Sequence, residues 1–382
     1  MIGYGHQYID DADIEAVINV LKSDYLTQGP AVTQFEKSIC DITGAKYCVA
    51  VSNATAGLQI AVAALELAED SEGITTPNTF LASSNCMIYN NVKPVFADID
   101  PKTYNIDPAE IKKHITEKTK VLLPVHFAGL PCEMDKISAI AKQNNLYIIE
   151  DAAHAIGSQY TDGSFVGNCK YSDMTVFSFH PVKTITTAEG GAVTTNDEKL
   201  YQKLLMLRSH GVTKDESVLT KNPGPWYYEM HSLGFNYRMT ELQAALGVSQ
   251  LKKLNFFKKR RREIIAKYNE AFASNEFLVV PFESSELCSC FHLYVTQIDF
   301  EKLGKSRKQV MQELRDAGIG TQVHYIPIPT QPYYKNEFGY KDGDYPIAEK
   351  YYEHELSLPL FPGMTNNDVQ SVINAINNVI CK

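Results

Sequence analysis

The chain has 382 residues, 44% of them hydrophobic and 21% charged, with a formal net charge of -9. That length suits about two domains of the usual ~150 residues each. No run of ~18 apolar residues is present to span a bilayer, and the acidic balance argues against a nucleic-acid partner, which would show as a basic face.

The first residues, MIGYGHQYIDDAD, have no basic patch ahead of an apolar stretch, so a cytoplasmic protein without a secretory signal is expected. Residues 10–22 place apolar side chains at helical spacing behind an acidic start, which suits a helix N-terminus. The loop Ser23–Pro30, read SDYLTQGP, precedes a second helix expected from about Thr33 to Thr43. Such a loop serves equally as connector or ligand wall.

From residue 47 strands and helices alternate. Strands are expected at Tyr47–Val51, Gly73–Thr76, Pro94–Ile99, Val121–His126 and Tyr147–Asp151, with helices between them. This pattern predicts an α/β fold built on a largely parallel sheet covered on both faces, with ligands at the carboxyl ends of the strands. The turn Ser52–Gly57 joins the first strand to a helix through small and hydroxyl residues. Free N–H groups at the positive end of a helix suit a phosphate, although Ser and Asn there also serve as ordinary caps. Phe80 follows a strand, as core or as a stacking aromatic. Asp151 ends the apolar run YII, so its carboxylate is expected inside the sheet's rim, either in a structural ion pair or beside a ligand cation.

Two β-rich runs, Thr175–Phe179 and Gly191–Thr195, bracket a loop centred on Lys183. A lysine in a partly apolar pocket beside other cations loses the stability of its charged form, and its amine can then condense with an aldehyde. Alone, it is equally a solvated loop charge. A helix at 197–210, the aromatic loop Gly224–Glu229 and one long helix from Glu241 to about Phe272 follow, the basic run Lys258–Arg262 forming a solvated helix face. Shorter elements complete the chain: strands at Phe291–Ile298 and Thr321–Tyr325, and helices at Ser306–Ala317 and Asn367–Val379. The expected division is residues 1–250 and a smaller α/β unit at 251–382. Eight cysteines are scattered. Cys288-x-Cys290 lacks a second ligand pair of zinc spacing, so no metal site is expected.

Five pieces, SNATAG (52–57), TTPNTF (75–80), EDAAHAIGS (150–158), FSFHPVKTITTAEGGAV (177–193) and GFNYRMTELQAALG (234–247), resemble in order the DegT/DnrJ/EryC1/StrS sugar aminotransferases. The resemblance implies the fold-type-I transferase architecture that uses pyridoxal 5′-phosphate, with a large, mostly parallel seven-stranded sheet and a smaller C-terminal domain. It makes Lys183 the lysine that forms an imine with the cofactor and shuttles protons, and Asp151 the acid at the pyridine nitrogen. His154 would lie at the ring's 3-hydroxyl, Phe80 on the ring face, and Thr55, Ala56 and Ser178 around the phosphate. Asn236 would reach the phosphate of a neighbouring subunit, which implies a homodimer with shared sites.

The pieces YLTQGP (25–30), LRSHGV (207–212) and QVHYIPI (322–328) are similar to the members that act on a UDP-linked sugar in pseudaminic acid biosynthesis. For the sugar nucleotide this points to Tyr4, to Tyr25, Leu26, Thr27 and Gln28, and to His324 and Tyr325. The implied reaction takes an amino group from L-glutamate to C4 of a UDP-linked 4-keto-6-deoxy-N-acetylhexose, giving UDP-4-amino-4,6-dideoxy-N-acetyl-β-L-altrosamine. Alternatives are another nucleotide-sugar 3- or 4-aminotransferase, a dehydratase of the same cofactor, or a silent regulatory protein on this fold. Dehydratase relatives carry histidine where Lys183 stands, and a silent protein would have lost Lys183 or Asp151.

Overall fold

The computed structural model describes residues 1–284 and 288–380. Seven strands form the large sheet: β1 (Tyr47–Val51), β2 (Glu72–Thr75), β3 (Lys93–Phe96), β4 (Thr119–Leu123), β5 (Tyr147–Asp151), β6 (Met174–Ser178) and β7 (Gly191–Thr195). Their spatial order is β1-β7-β6-β5-β4-β2-β3, and β7 alone runs against the other six. This is the mostly parallel sheet that the alternating pattern predicts.

Alternation along each strand feeds two cores. Cys48, Ala50, Leu122, Ile148 and Phe177 pack on one face with Phe35, Ile137 and Ala244 from helices. Val49, Val51, Leu123, Ile149 and Val176 pack on the other with Leu58, Ile60 and Leu204. With both faces covered, the central strands β6 and β7 are buried along their whole length, as is β5 beyond the exposed Tyr147. The edge strand β1 is closed by side chains instead of by a neighbour. Its Ala50 N–H donates to Glu36 Oε1 at 2.8 Å, and its Ala50 carbonyl accepts from Arg208 Nη1 at 3.0 Å.

A ribbon of β8 (Val212–Thr213) and β9 (Glu229–Met230) precedes a second sheet of β10 (Leu278–Val279), β11 (Tyr294–Ile298) and β12 (Glu355–Leu358), ordered β10-β11-β12. Its core joins Ile264, Tyr268 and Phe272 to Val310, Leu314, Val372 and Ile376.

Three expectations change. The single helix from Glu241 is two, Glu241–Leu251 and Leu254–Phe272. At the break, Lys253 Nζ is held by Asp10 Oδ1 at 2.5 Å and Asp13 Oδ2 at 2.6 Å, so the chain turns where the N-terminal helix grips it. Thr321–Tyr325 is not a strand, having a single bridge from Gln322 to Ser357, and the strand beside it is β12, which had not been expected. The second helix starts at Pro30, three residues early, because proline's fixed φ suits the first helical position.

That helix has no side-chain cap of its own. Glu241, 1% exposed, supplies one from far along the chain, accepting from the N–H groups of Gly29 (2.9 Å), Ala31 (2.6 Å) and Val32 (3.2 Å). Glu241→Ala is expected to destabilise the protein by about 2 kcal/mol, the scale of charge-assisted bonds whose donors are left buried. The shift of the denaturant midpoint measures it, and an unshifted midpoint would assign the capping to solvent.

Candidate active site

At the carboxyl ends of the parallel strands lies a cavity of about 1060 Å³, walled by both parts of the chain. Lys183, Asp151, His154, Ser178, Thr55, Ala56 and Phe80 line it together with Tyr4, His324 and Tyr325. The loop carrying Lys183 is fixed by its own hydroxyls. Thr186 Oγ1 donates to Phe179 O at 3.1 Å, Thr187 Oγ1 to Glu189 O at 2.8 Å, and Ile185 is buried beneath. Lys183 is half-buried, and desolvation pushes its ammonium down to about 8, opposed by the charge of Asp151. Burial therefore does the work that the sequence reading assigned partly to neighbouring cations. In the cofactor-free protein, labelling of Lys183 by a small amine-reactive reagent should rise with pH about a midpoint near 8, in contrast to ~10.4 for an ordinary lysine. Peptide mass analysis across pH reads it.

Asp151 closes β5 and is 5% exposed. Its Oδ2 accepts from Ser83 Oγ at 2.6 Å and its Oδ1 from the Ala153 N–H at 3.0 Å, leaving room on both oxygens for a further donor. Ser83 is in turn linked to Thr79 Oγ1 at 2.8 Å.

His154 Nδ1 accepts the Ala128 N–H at 3.3 Å, so the neutral ring carries its proton on Nε2 and donates it to the Tyr325 hydroxyl at 3.1 Å. The ring stays neutral because burial, then Lys183 and His324, push its pKa well down. Burial likewise raises the Tyr325 hydroxyl.

The helix Ala54–Ala64 opens into the same cavity. Asn53 caps it by accepting the Ala56 N–H at 2.8 Å, so that amide is already engaged. The N–H groups of Ala54 and Thr55 have no acceptor among the described residues and stand at the positive helix end. A Cβ on Gly191 would lie 2.7 Å from Asn53 C and Ala54 N, so only glycine lets β7 approach this turn.

Five candidates, Tyr25, Leu26, Thr27, Gln28 and Asn236, lie elsewhere. Tyr25 and Leu26 are 56% and 51% exposed, and the segment through Gln28 is tied to the next helix start by a Thr27–Thr240 bridge and a Leu26 carbonyl accepting from Glu241. None of Tyr25, Leu26, Thr27 or Gln28 lines the cavity of the single chain. Asn236 is exposed and bridges Ser209, also outside it. Phe80 is 59% exposed, its ring centroid 6.3 Å from that of Tyr325.

Sequence reasoning missed Asn53, Ser83, His180, Tyr237 and His292. Asn53 was legible as the cap of the turn already singled out. His292, 4% exposed and 4.5 Å ring to ring from His154, opens the apolar run HLYV, a polar entry to a strand that could have marked it. Among the described residues no group of His, Cys, Asp and Glu is arranged to hold a metal, and no helix is long and apolar enough to cross a membrane.

Relatives share this architecture end to end. The chain is 42% identical over 378 residues to the spore coat polysaccharide biosynthesis protein SpsC of Bacillus subtilis, covering 99% of this chain and 96% of that one. It superposes with a TM-score of 0.92 on Helicobacter pylori PseC, an aminotransferase involved in the biosynthesis of pseudoaminic acid, at 34% identity and 99% coverage of both. Spr1654 of Streptococcus pneumoniae, solved in its PMP form, matches with a TM-score of 0.92 at 31% identity over 99% of each chain. Residues 7–377 match one family description, and with the lysine, the aspartate and the helix-end turn gathered in one cavity, the chain belongs to the DegT/DnrJ/EryC1/StrS aminotransferase family.

Proposed function

We propose that the protein uses pyridoxal 5′-phosphate to move an amino group from L-glutamate to C4 of a UDP-linked 4-keto-6-deoxy-N-acetylhexose. The observation that carries this reading is the meeting, in one large cavity, of an amine of depressed basicity, a buried carboxylate and two open helix-end amides. When bound, the cofactor supplies an aldehyde for covalent attachment and a conjugated ring that takes up the electron pair of a broken C–H bond. The Ala54 and Thr55 amides with the Ser178 hydroxyl would hold its phosphate, Asp151 its ring nitrogen, and His154 its 3-hydroxyl region, with Phe80 on the ring face. Ala56 would contribute contact, not a donor, since Asn53 holds its N–H.

Lys183 acts through Nζ. As a free amine it accepts a proton from the substrate carbon and returns it to another centre, and the low local pKa keeps that form populated. The Asp151 charge favours a protonated ring nitrogen, the form that draws electrons.

The sugar assignment takes its support from likeness to PseC along the whole chain and from Tyr4, His324 and Tyr325 in the cavity wall. We read the active protein as a cytoplasmic homodimer in which Asn236 of each copy, exposed here, reaches the other's phosphate. We keep the division at residue 250, near the end of the helix Glu241–Leu251 and just ahead of the break at Lys252–Lys253. All seven described cysteines are free thiols, as a reducing compartment maintains.

The test is an assay of purified protein with L-glutamate and UDP-linked or dTDP-linked 3- and 4-keto sugars, following 2-oxoglutarate and product mass. Selective turnover of the UDP-linked 4-keto-6-deoxy-N-acetylhexose is expected. Preference for a 3-keto sugar would move the reading to a 3-aminotransferase, and no turnover with any keto sugar would overturn it.

A further inference from the structure

Behind His324, β12 carries Glu355 and Ser357, both wholly buried and, two residues apart, on one face of the strand. The segment holding His324 lies alongside, since the Ser357 N–H donates to Gln322 O at 2.8 Å and the Gln322 N–H to Ser357 O at 3.2 Å. Three side-chain links follow. Glu355 Oε2 accepts the His324 backbone N–H at 2.9 Å, Ser357 Oγ lies 2.5 Å from Glu355 Oε1, and His324 Nδ1 lies 2.8 Å from Ser357 Oγ. The Tyr351 hydroxyl fixes the same residue from behind, donating to His324 O at 3.0 Å. The side-chain hydrogen bond of His324 among the described residues runs through Nδ1, leaving Nε2 without a partner there, and His324 lines the cavity.

A serine hydroxyl donates one hydrogen bond, so the chain has two self-consistent directions. With Glu355 ionised, Ser357 donates to it and accepts from His324 Nδ1–H, and Nε2 presents a lone pair to the cavity. With Glu355 neutral, Oε2 still accepts the backbone N–H, so the proton sits on Oε1 and is donated to Ser357. Ser357 then donates to Nδ1, and Nε2 carries the ring proton. The two directions differ by one proton. It enters from the cavity at Nε2, the Nδ1 proton passes to Ser357 Oγ, and the Ser357 proton passes to Glu355 Oε1. His324 itself stays neutral in both, because burial and then Lys183 push its pKa down to about 3.

We propose that Glu355 and Ser357 are positioning residues that set which nitrogen of His324 bears the proton, and hence whether a polar group of the substrate meets a donor or an acceptor there. The substrate part of this inference rests on the cavity being the aminotransferase site; the proton arrangement does not. The groups facing Glu355 are Arg307 from the helix Arg307–Asp316, Tyr351 from the helix Pro346–His354, and His324 and Tyr325 from the neighbouring segment, while its partner on β11 is the neutral Gln297. Burial outweighs the help from Ser357, the His324 amide and Arg307, and holds the Glu355 carboxyl up at about 8. Below that pH Nε2 is a donor, and above it an acceptor.

Histidine ¹⁵N shifts distinguish the two tautomers, and His324→Gln assigns the signal in the full-length, cofactor-loaded protein. The wild type is expected to pass from the Nε2–H to the Nδ1–H form on raising the pH through about 8. In Glu355→Gln the amide oxygen is taken by the His324 N–H, so its NH₂ donates to Ser357 and locks the Nε2–H form from about pH 6 to about pH 10. KM for the keto sugar should change by about 3- to 10-fold across that range in the wild type, the scale of one neutral hydrogen bond, and lie flat in Glu355→Gln. Ser357→Ala, which cuts the link with a smaller change, should also uncouple the tautomer from pH. A wild-type His324 that holds one tautomer throughout, or a Glu355→Gln midpoint equal to the wild type's, overturns the proposal. If the tautomer switches but no keto sugar is turned over, the function assignment falls and the relay stands.

Discussion

Replacing Lys183 with alanine is expected to leave a folded protein whose turnover is down by about 10³-fold or more, the scale of losing a covalent catalytic group. The loop does not depend on the lysine side chain, since Thr186, Thr187 and buried Ile185 hold it. Circular dichroism and the thermal midpoint should therefore match the wild type. What disappears is the amine. A group with its pKa at about 8 is roughly one-tenth unprotonated at neutral pH, against less than about one-thousandth for an ordinary lysine. In the wild type, an absorbance band near ~410 to 430 nm that borohydride fixes on the Lys183 peptide is expected of a lysine–carbonyl cofactor. The variant should lack that fixation. Normal turnover in Lys183→Ala would falsify the assignment of the amine.

Where a residue's role follows from its place along one strand, the sequence displays it. Asp151 ends an apolar run, so its burial at the sheet's rim is legible from YIIED alone. Lys183 between two β-rich runs and the Ser52–Gly57 turn are legible in the same way, as is the sheet they edge. Features set by partners distant in sequence are not. The break at Lys252–Lys253 has no Gly or Pro to announce it, because Asp10 and Asp13 impose it from the far end of the chain. Thr321–Tyr325 alternates like a strand yet pairs at one point only, while β12, hidden in HELSLPL, takes the place beside β11. Ser83 sits in a helix with nothing to mark it until Asp151 is seen 2.6 Å away. The single chain is equally silent on Asn236 and the 25–28 loop, which do not line its own cavity.

Asp151→Asn is expected to keep its cofactor but slow the proton-transfer step by about 2 to 4 kcal/mol, the scale of one lost preorganised charge interaction. The substitution changes charge with little change of shape. Its amide oxygen can accept the Ala153 N–H, and its NH₂ can face Ser83, whose hydroxyl then turns to Thr79 at 2.8 Å, a link that works in either direction. The packing of β5 therefore survives, and a collapse of stability is not expected. Nor can the slowing come from a more strongly protonated lysine. The Asp151 charge raises the Lys183 pKa against burial, so removing it lowers that pKa further below about 8 and enlarges the amine fraction. A fall in kcat together with an acidic limb displaced to lower pH is therefore the signature of a lost electrostatic partner for the ring nitrogen. An unchanged kcat would leave Asp151 as a structural carboxylate, tied to Ser83 and the Ala153 amide and to nothing in the cavity.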